Sequence, residues 1–171
     1  VGHGARFVMD DVLALAERLN APVLTTFKGK GLISDHHPLG CGVLGRLERF
    51  VAINSTVEVG LDGSCNSEMA AGQIISGPGG APDFAFGASL ASGGRAIMAL
   101  RSTAGGGRIS RIVASIDPPN PVTLPSYLAD VIVTEHGRAE VRGLPLGARA
   151  EALIGLAHPD HRAALRASAS G

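Results

Sequence analysis

Cysteine is scarce in this sequence, since Cys41 and Cys65 are the only two among 171 residues. They show neither a CxxC spacing nor a neighbouring histidine pattern, which argues against a zinc site. Two isolated free thiols are typical of a reducing compartment. The sequence therefore predicts a cytoplasmic protein without a bound metal.

The sequence also lacks an excess of charge of either sign and any long hydrophobic run. Lys+Arg and Asp+Glu both number 15, so the net charge is zero with neutral histidine. This balance argues against a nucleic-acid surface and against a polybasic membrane anchor. No apolar run approaches the ~20 residues of a transmembrane helix, and no signal peptide is recognisable. Because the chain begins with Val1 rather than Met, we expect it to be a fragment.

Glycine is abundant, with 24 residues, whereas aromatic residues make up only 4%. This balance is typical of α/β enzymes, in which glycine lets the backbone approach a ligand closely. Periodicity and turn residues predict helices that alternate with short, buried strands, and hence a layered α/β fold. The predicted strands cover residues 21–26, 50–53, 57–59, 73–75, 96–100, 109–116 and 129–134, and the helices cover 10–19, 83–90, 145–156 and 159–166.

From Arg49 to about Leu165, a collinear series of motifs resembles one enzyme family. The series includes Phe50-Val51-Ala52-Ile53-Asn54-Ser55, Gly77-Pro78-Gly79-Gly80, Ser110-Arg111-Ile112-Val113, Val133-Thr134-Glu135-His136-Gly137 and Ala157-His158-Pro159. Each run alone is weak evidence, but their shared order is specific. This part of the chain is identified as the C-terminal domain of the acetyl-CoA hydrolase/transferase family, which includes 4-hydroxybutyrate and acetate CoA-transferases.

The resemblance implies the CoA-transferase (NagB/RpiA-like) architecture, a layered sheet flanked by helices. It also implies acyl-CoA:carboxylate CoA transfer, or acyl-CoA hydrolysis when water takes the acyl group. Coenzyme A would be a substrate, and acyl-CoA and a small carboxylate would be the partners. The acyl group and the acceptor stay open. The chain departs from the family pattern at Pro78, Ala81, Arg101 and His136, which weakens the expectation of CoA affinity more than that of the fold.

Residues 1–46 resemble a different family. The motifs are Gly2-His3-Gly4-Ala5, Leu19-Asn20-Ala21-Pro22-Val23, Lys28-Gly29-Lys30-Gly31 and His37-Pro38-Leu39. They are similar to the middle domain of thiamine-diphosphate enzymes of the acetolactate-synthase type. We therefore expect a chimera, with an appended strand–helix–strand segment at 1–46 and the transferase-like domain at 47–171. Thiamine diphosphate and FAD are not expected as cofactors.

Four residues are the best candidates for a CoA or substrate site: Gly77, Gly79, Gly80 and Asn54. The lack of a Cβ lets backbone N–H groups at such a turn stabilise a thioester oxyanion. An ordinary tight turn is the simpler explanation of the glycines, and a turn-forming role is equally open for Asn54. The resemblance places the family's catalytic glutamate upstream of the matched region, so the catalytic residue here is unknown.

Other charged side chains have both a functional and a structural interpretation. Glu58 and Glu68 flank a turn, where capping or solvation is the simpler role. Glu135 follows a strand, at the edge where α/β folds bind ligands, and could form an acid/base pair with His136. Against this, adjacent side chains on extended backbone point to opposite faces. The arginines 101, 108 and 111 could bind CoA phosphates or lie on the surface.

Two further hypotheses stay open beside the transferase fragment. The chain could be a thiamine-diphosphate-enzyme fragment with an FAD-binding middle domain. It could instead be a non-catalytic fragment that needs a partner, either another copy in a homo-oligomer or a missing N-terminal half-domain. The expectation of enzymatic activity therefore rests on the family resemblance alone, and the sequence does not settle whether the chain is active by itself.

Overall fold

The computed structural model of the chain describes residues 6–21, 23–25, 29–34, 36–43 and 50–169. Helices and strands alternate along it, which confirms the predicted α/β class. The helices are α1 (Met9–Leu19), α2 (Ala81–Leu90), α3 (Leu146–Leu156) and α4 (Pro159–Ala169), with a 3-10 turn at Ser126–Leu128. The strands are β1 (Val23–Thr25), β2 (Gly40–Val43), β3 (Val51–Ser55), β4 (Glu58–Gly60), β5 (Cys65–Asn66), β6 (Met69–Ala70), β7 (Gln73–Ile74), β8 (Arg95–Ala99), β9 (Thr103–Ala104), β10 (Ile109–Ser110), β11 (Ile112–Val113), β12 (Val131–Thr134) and β13 (Gly137–Glu140).

The largest sheet has the strand order β13-β12-β8-β3. Strands β3, β8 and β12 run parallel, and β13 returns antiparallel to β12 through a tight turn. Helix α2 lies in the connection from β3 to β8 and packs on both, as parallel strands require a crossover. The carboxyl ends of the three parallel strands therefore lie at one edge of this sheet.

A second, smaller sheet pairs β4 in parallel with β11 and antiparallel with β5. Two hairpins, β6–β7 and β9–β10, extend from it. The predicted continuous strand over 109–116 is wrong, because the backbone changes partner at Arg111. Strand β10 pairs with β9, and β11 pairs with β4. The Arg111 N–H bonds Ser102 O at 2.8 Å, and Arg111 O accepts from Val59 N at 2.9 Å.

The core of the transferase-like part lies between the sheets and helices α2, α3 and α4. Its largest fully buried side chains include Met98, Ile112, Leu124, Ile132, Leu153 and Ile154. At the amino ends of the central strands, the buried Asp130 carboxylate accepts from Ala96 N at 2.7 Å and pairs with Arg142. A separate, smaller cluster buries Met9, Ala16, Val23 and Ile33 around α1, β1 and β2.

The expected first helix forms, and no side chain of the described residues caps its amino terminus. Val8 is the residue before the helix and supplies no side-chain cap, whereas Asp10 and Asp11 lie in the first turn. There they interact favourably with the helix dipole rather than with orphan N–H groups. Asn20 ends the helix in a left-handed conformation, φ 48°, as predicted. Of the appended strand–helix–strand, the first strand falls outside the described residues.

The prediction of a buried strand at 50–53 is wrong about burial. Val51 and Ile53 on β3 are 48% and 68% exposed, because alternate side chains of a strand point to opposite faces and only Ala52, between them, points into the core. Helix α4 also extends beyond the predicted end at Arg166, to Ala169.

Candidate functional site

The glycine turn 77–80 leads directly into α2. The three glycines differ in their local surroundings. Gly79 has φ +56°, a conformation that residues other than glycine rarely adopt. A Cβ on Gly80 would lie 2.8 Å from the Phe84 ring, so this ring would have to shift to accept a side chain there. A Cβ on Gly77 would meet nothing within 4 Å and its φ is not positive, so neither strain nor packing explains this glycine.

Asn54 lies near the open edge of the main sheet, on β3. With Phe50, Ile53 and Phe84 it lines a surface cavity of about 240 Å³. The Phe84 ring that lines this cavity is the same ring that contacts Gly80, so the cavity adjoins the amino end of α2. Asn54 and the glycine turn, which are more than 20 residues apart, therefore belong to one region of the surface.

At the carboxyl end of the parallel strands, Glu135 is bound to the loop that follows β8. Its two carboxylate oxygens accept from the Ser102 N–H at 2.8 Å and from the Ser102 hydroxyl at 2.9 Å. The Arg101 Nε atom lies 3.8 Å away. Hydrogen bonding from the Ser102 backbone N–H, helped by its hydroxyl, lowers the pKa of Glu135 to about 2. Glu135 is thus ionised at neutral pH and unsuited to donate a proton.

The histidine beside Glu135 faces a different neighbour. The His136 ring lies edge-on to the His158 ring, with centroids 5.5 Å apart, and His158 in turn meets His161 at 6.1 Å. Glu135 directs its oxygens to Ser102 instead. The hypothesis of an acid/base pair between Glu135 and His136 therefore has no support in the geometry.

The other two candidate carboxylates hold the fold together. Glu58 Oε1 accepts from Asn66 Nδ2 at 2.9 Å and from Asn120 Nδ2 at 2.8 Å. Glu68 Oε1 accepts from Thr123 Oγ1 at 2.8 Å. Both glutamates therefore have a structural role, through tertiary hydrogen bonds to side chains rather than through the expected capping or solvation. Asn66, Asn120 and Thr123 were missed by sequence reasoning, because bonds spanning up to 62 residues leave no local signal.

The three candidate arginines differ in exposure. The Arg101 side chain is 80% exposed and its partner is Glu135. Arg108 is exposed in the glycine-rich turn between β9 and β10, whereas Arg111 is partly buried. No cluster of three or more potential metal ligands occurs within the described ranges. Over the same ranges, no helix is both long and apolar enough to cross a membrane.

Some predicted features lie outside the described residues. These are the Gly2-His3-Gly4 turn, Lys28 of the Lys28-Gly29-Lys30-Gly31 motif and the junction near Arg46.

Comparison with known protein families gives two overlapping matches. Residues 40–169 match the acetyl-CoA hydrolase/transferase C-terminal domain, and residues 1–58 match the central domain of thiamine pyrophosphate enzymes. Both predicted resemblances are therefore confirmed.

Individual relatives agree with these two family matches. The chain is 45% identical over 123 residues to 4-hydroxybutyrate coenzyme A transferase of Clostridium kluyveri, which covers 72% of this chain and 29% of the relative. The crystal structure of RipA from Yersinia pestis superposes with a TM-score of 0.69 at 39% identity, over 79% of this chain and 32% of that one. Near the other end, 36 residues are 53% identical to a probable acetolactate synthase large subunit of Methanococcus aeolicus, covering 21% of this chain and 6% of the relative. The chain thus spans less than a third of the length of the transferases that it resembles.

Proposed function

Because this chain belongs to the acetyl-CoA hydrolase/transferase family through its C-terminal domain, we propose that it is the CoA-binding part of an acyl-CoA:carboxylate CoA-transferase. Hydrolysis of the acyl-CoA is the same chemistry with water as the acceptor. The observation that carries the proposal is the family match over residues 40–169, within which the exposed glycine turn adjoins the Asn54 cavity.

The open geometry at Gly77 supports a binding role for this turn. An apolar side chain would fit there without strain, so the space beside the backbone is available to a ligand. Backbone N–H groups at such a turn are suited to donate to a thioester or pantetheine oxygen. The side-chain amide of Asn54 adds a donor and an acceptor in the neighbouring cavity.

Calorimetric titration with CoA and acetyl-CoA tests this proposal. We expect binding by the unmodified chain, and a large loss in Gly77→Ala and Gly79→Val, because the added side chains occupy the space of the ligand. Gly143→Val is the matched control for Gly79→Val, since Gly143 also has a positive φ, +74°, and open space around it. Absence of heat with the unmodified chain, or equal binding by all variants, contradicts the proposal.

We further propose that turnover requires a partner that supplies the attacking carboxylate. A transferase of this type needs a glutamate that attacks the thioester, and the resemblance places that residue upstream of the region matched here. Strand β3 offers a place for such a partner, because one of its edges is unpaired among the described strands and its exposed face carries Val51 and Ile53. An exposed apolar edge strand readily pairs with another strand.

Mixing with the N-terminal part of the Clostridium kluyveri transferase tests the partner hypothesis. We expect a complex on size-exclusion chromatography and the appearance of CoA transfer, neither of which the separate parts give. Ile53→Lys should prevent the complex, because it places a charge on the docking strand. Since Ile53 also lines the Asn54 cavity, titration of this variant with CoA separates loss of docking from loss of ligand binding. Ile74→Lys is the control, since Ile74 is equally apolar and 79% exposed but lies on the β6–β7 hairpin. Complex formation unaffected by Ile53→Lys rules out this edge.

The match of residues 1–58 to thiamine pyrophosphate enzymes favours a second candidate, flavin binding by the amino-terminal part. We expect the purified chain to be colourless, because this part is too short to form the whole of such a domain. Flavin absorbance that co-purifies with the chain, and that is lost when residues 1–46 are removed, supports the second candidate instead.

A further inference from the structure

A second cavity, separate from the glycine turn, lies where the two hairpins meet strand β4. Its volume is about 150 Å³. Val57, Ala71, Ala104 and Ile109 form apolar walls, and Glu58 and Arg111 bring opposite charges to it. A cavity of this size holds a ligand of about six non-hydrogen atoms, since benzene fills an engineered cavity of about 150 Å³.

Arg111 is fixed at this cavity by the fold. The strand switch anchors its backbone on both sides, through the bonds of its N–H to Ser102 and of its carbonyl to Val59. Its side chain is partly buried, yet within the described part of the chain its guanidinium has no hydrogen bond and no ion pair. A guanidinium left without a partner in a partly buried position favours an anion, and its planar fork matches a carboxylate.

Glu58 is held in place on the same cavity. The amides of Asn66 and Asn120 both donate to its Oε1 atom, which fixes the carboxylate at the cavity wall. Its Oε2 atom accepts no hydrogen bond from any described residue, and Glu58 forms no ion pair with Arg111. This oxygen is therefore available to a hydrogen-bond donor on a ligand.

The cavity wall also includes a residue in an unusual conformation. Ala71 has φ +50° at the tip of the β6–β7 hairpin, beside Gly72 at +75°. Such tight hairpin turns favour asparagine or glycine, because a Cβ in this region is strained. Alanine keeps a small apolar methyl group on the cavity at a cost of about 1 kcal/mol. Strain of this kind is concentrated at binding sites.

From these features we propose that the cavity binds a short carboxylate that carries a hydrogen-bond donor, either a hydroxyl or an ammonium group, at its other end. The carboxylate pairs with Arg111, the donor bonds Glu58 Oε2, and the short carbon chain lies against Ala104 and Ile109. The proposal does not rest on CoA binding, because none of the residues that line this cavity belongs to the glycine turn or to the Asn54 cavity.

Nuclear magnetic resonance titration of the ¹⁵N-labelled full chain tests the proposal, with 3-hydroxypropionate, β-alanine and propionate as probes. Small ligands of this size bind with dissociation constants on the order of 1 mM. We expect one or both of the first two probes to shift the amide signals of residues 57–58, 70–72 and 109–111. Propionate lacks the donor and should bind about tenfold more weakly than the better of them.

Variants then assign the two ends of the ligand. Arg111→Gln should weaken binding of every probe about tenfold or more, and Glu58→Gln should remove the preference over propionate. Arg108→Gln is the matched control, because Arg108 is exposed on the same hairpin but does not line the cavity. An unchanged spectrum away from the cavity shows that the variants are folded, and Arg111→Lys, which keeps the charge without the fork, should bind with intermediate affinity.

Several outcomes overturn the proposal. If no amide signal changes at roughly 10 mM probe, which is tenfold above the expected dissociation constant, the site is excluded. Equal weakening by Arg111→Gln and Arg108→Gln shows non-specific attraction to positive charge. A chain that binds these probes but not CoA retains this site and loses the proposed function, whereas the converse result removes this site alone.

Discussion

Glu135 shows how one side chain can match a family motif and still have a local structural task. Both of its oxygens bind Ser102, which joins the end of β12 to the loop after β8. A folded-state pKa of about 2, below the ordinary value of 4.5, means that the ionised form stabilises the fold. This stabilisation is complete above pH 4.5 and is lost as pH falls towards 2.

The Glu135→Gln variant tests this assignment. At pH 7 we expect it to lower the free energy of unfolding by about 0.5–1 kcal/mol, a small value because the side chain is one-third exposed. The difference from the unmodified chain should shrink as pH falls from 4.5 towards 2, where both chains carry a neutral group. Denaturant unfolding at pH 7 and pH 3 measures it. A difference that stays constant with pH contradicts the assignment.

The two cysteines make a second prediction at the scale of single residues. Burial raises the pKa of the Cys65 thiol to about 12, whereas Cys41 is exposed on β2. Only the thiolate reacts rapidly with an aromatic disulfide reagent. We expect one thiol per chain to react in the native protein and two in denaturant. Cys41→Ser should leave the native chain unreactive, and rapid reaction of that variant contradicts the burial of Cys65.

At the scale of elements, the approach of α2 to the loop before β8 depends on Gly94. A Cβ there would lie 2.0 Å from the Ala88 carbonyl oxygen in α2, a distance that no rotation of a side chain relieves. We expect Gly94→Ala to destabilise the fold by about 2 kcal/mol or more, because backbone must move. Gly155→Ala in α3 has open space and should instead stabilise by about 0.5 kcal/mol. Thermal unfolding measures the melting temperature of both variants. We expect it to fall in Gly94→Ala and to rise in Gly155→Ala, and a change of the same sign in both contradicts this account.

The elements also show which parts of the fold are local in origin. The carboxyl-terminal ends of α1 and α2, and the existence of β8 and β12, follow from turn residues and apolar periodicity, and the sequence predicts them. The switch of partners at Arg111 depends on which strands lie beside it, and no periodicity within 109–116 records this. The exposure of Ile53 likewise depends on which face of β3 the rest of the fold covers, and the residues of 50–53 do not record this.

The candidate site divides in the same way. The family motifs alone led to the choice of Asn54 and of the glycines 77, 79 and 80. The motifs do not reveal that Phe84 lies between Asn54 and the glycine turn in the folded chain. The cavity of Glu58 and Arg111 joins three segments that lie far apart in the sequence. Considered alone, Glu58 and Arg111 can each be interpreted as ordinary surface residues. The cavity that they share is therefore visible only in the tertiary structure.

At the scale of the whole molecule, two clusters of buried residues share no member. One extends over residues 52–165, and the other contains Met9, Ala16, Val23 and Ile33 among the described residues. A segment of about 40 residues usually needs a disulfide, a metal or a partner to be stable. The transferase-like part, in contrast, has 20 buried apolar residues in one cluster within the described ranges, and we expect it to fold by itself.

Deletion of residues 1–46 should therefore change the rest of the molecule little. We expect the melting temperature of residues 47–171 to stay within about 5 °C of the main transition of the full chain, a shift of about 1 kcal/mol for this size. Amide signals of residues 96–100 and 131–134, in the central strands, should keep their positions in the spectrum. Loss of cooperative unfolding on deletion would mean that the amino-terminal segment completes the core, and the division into two units would then be wrong.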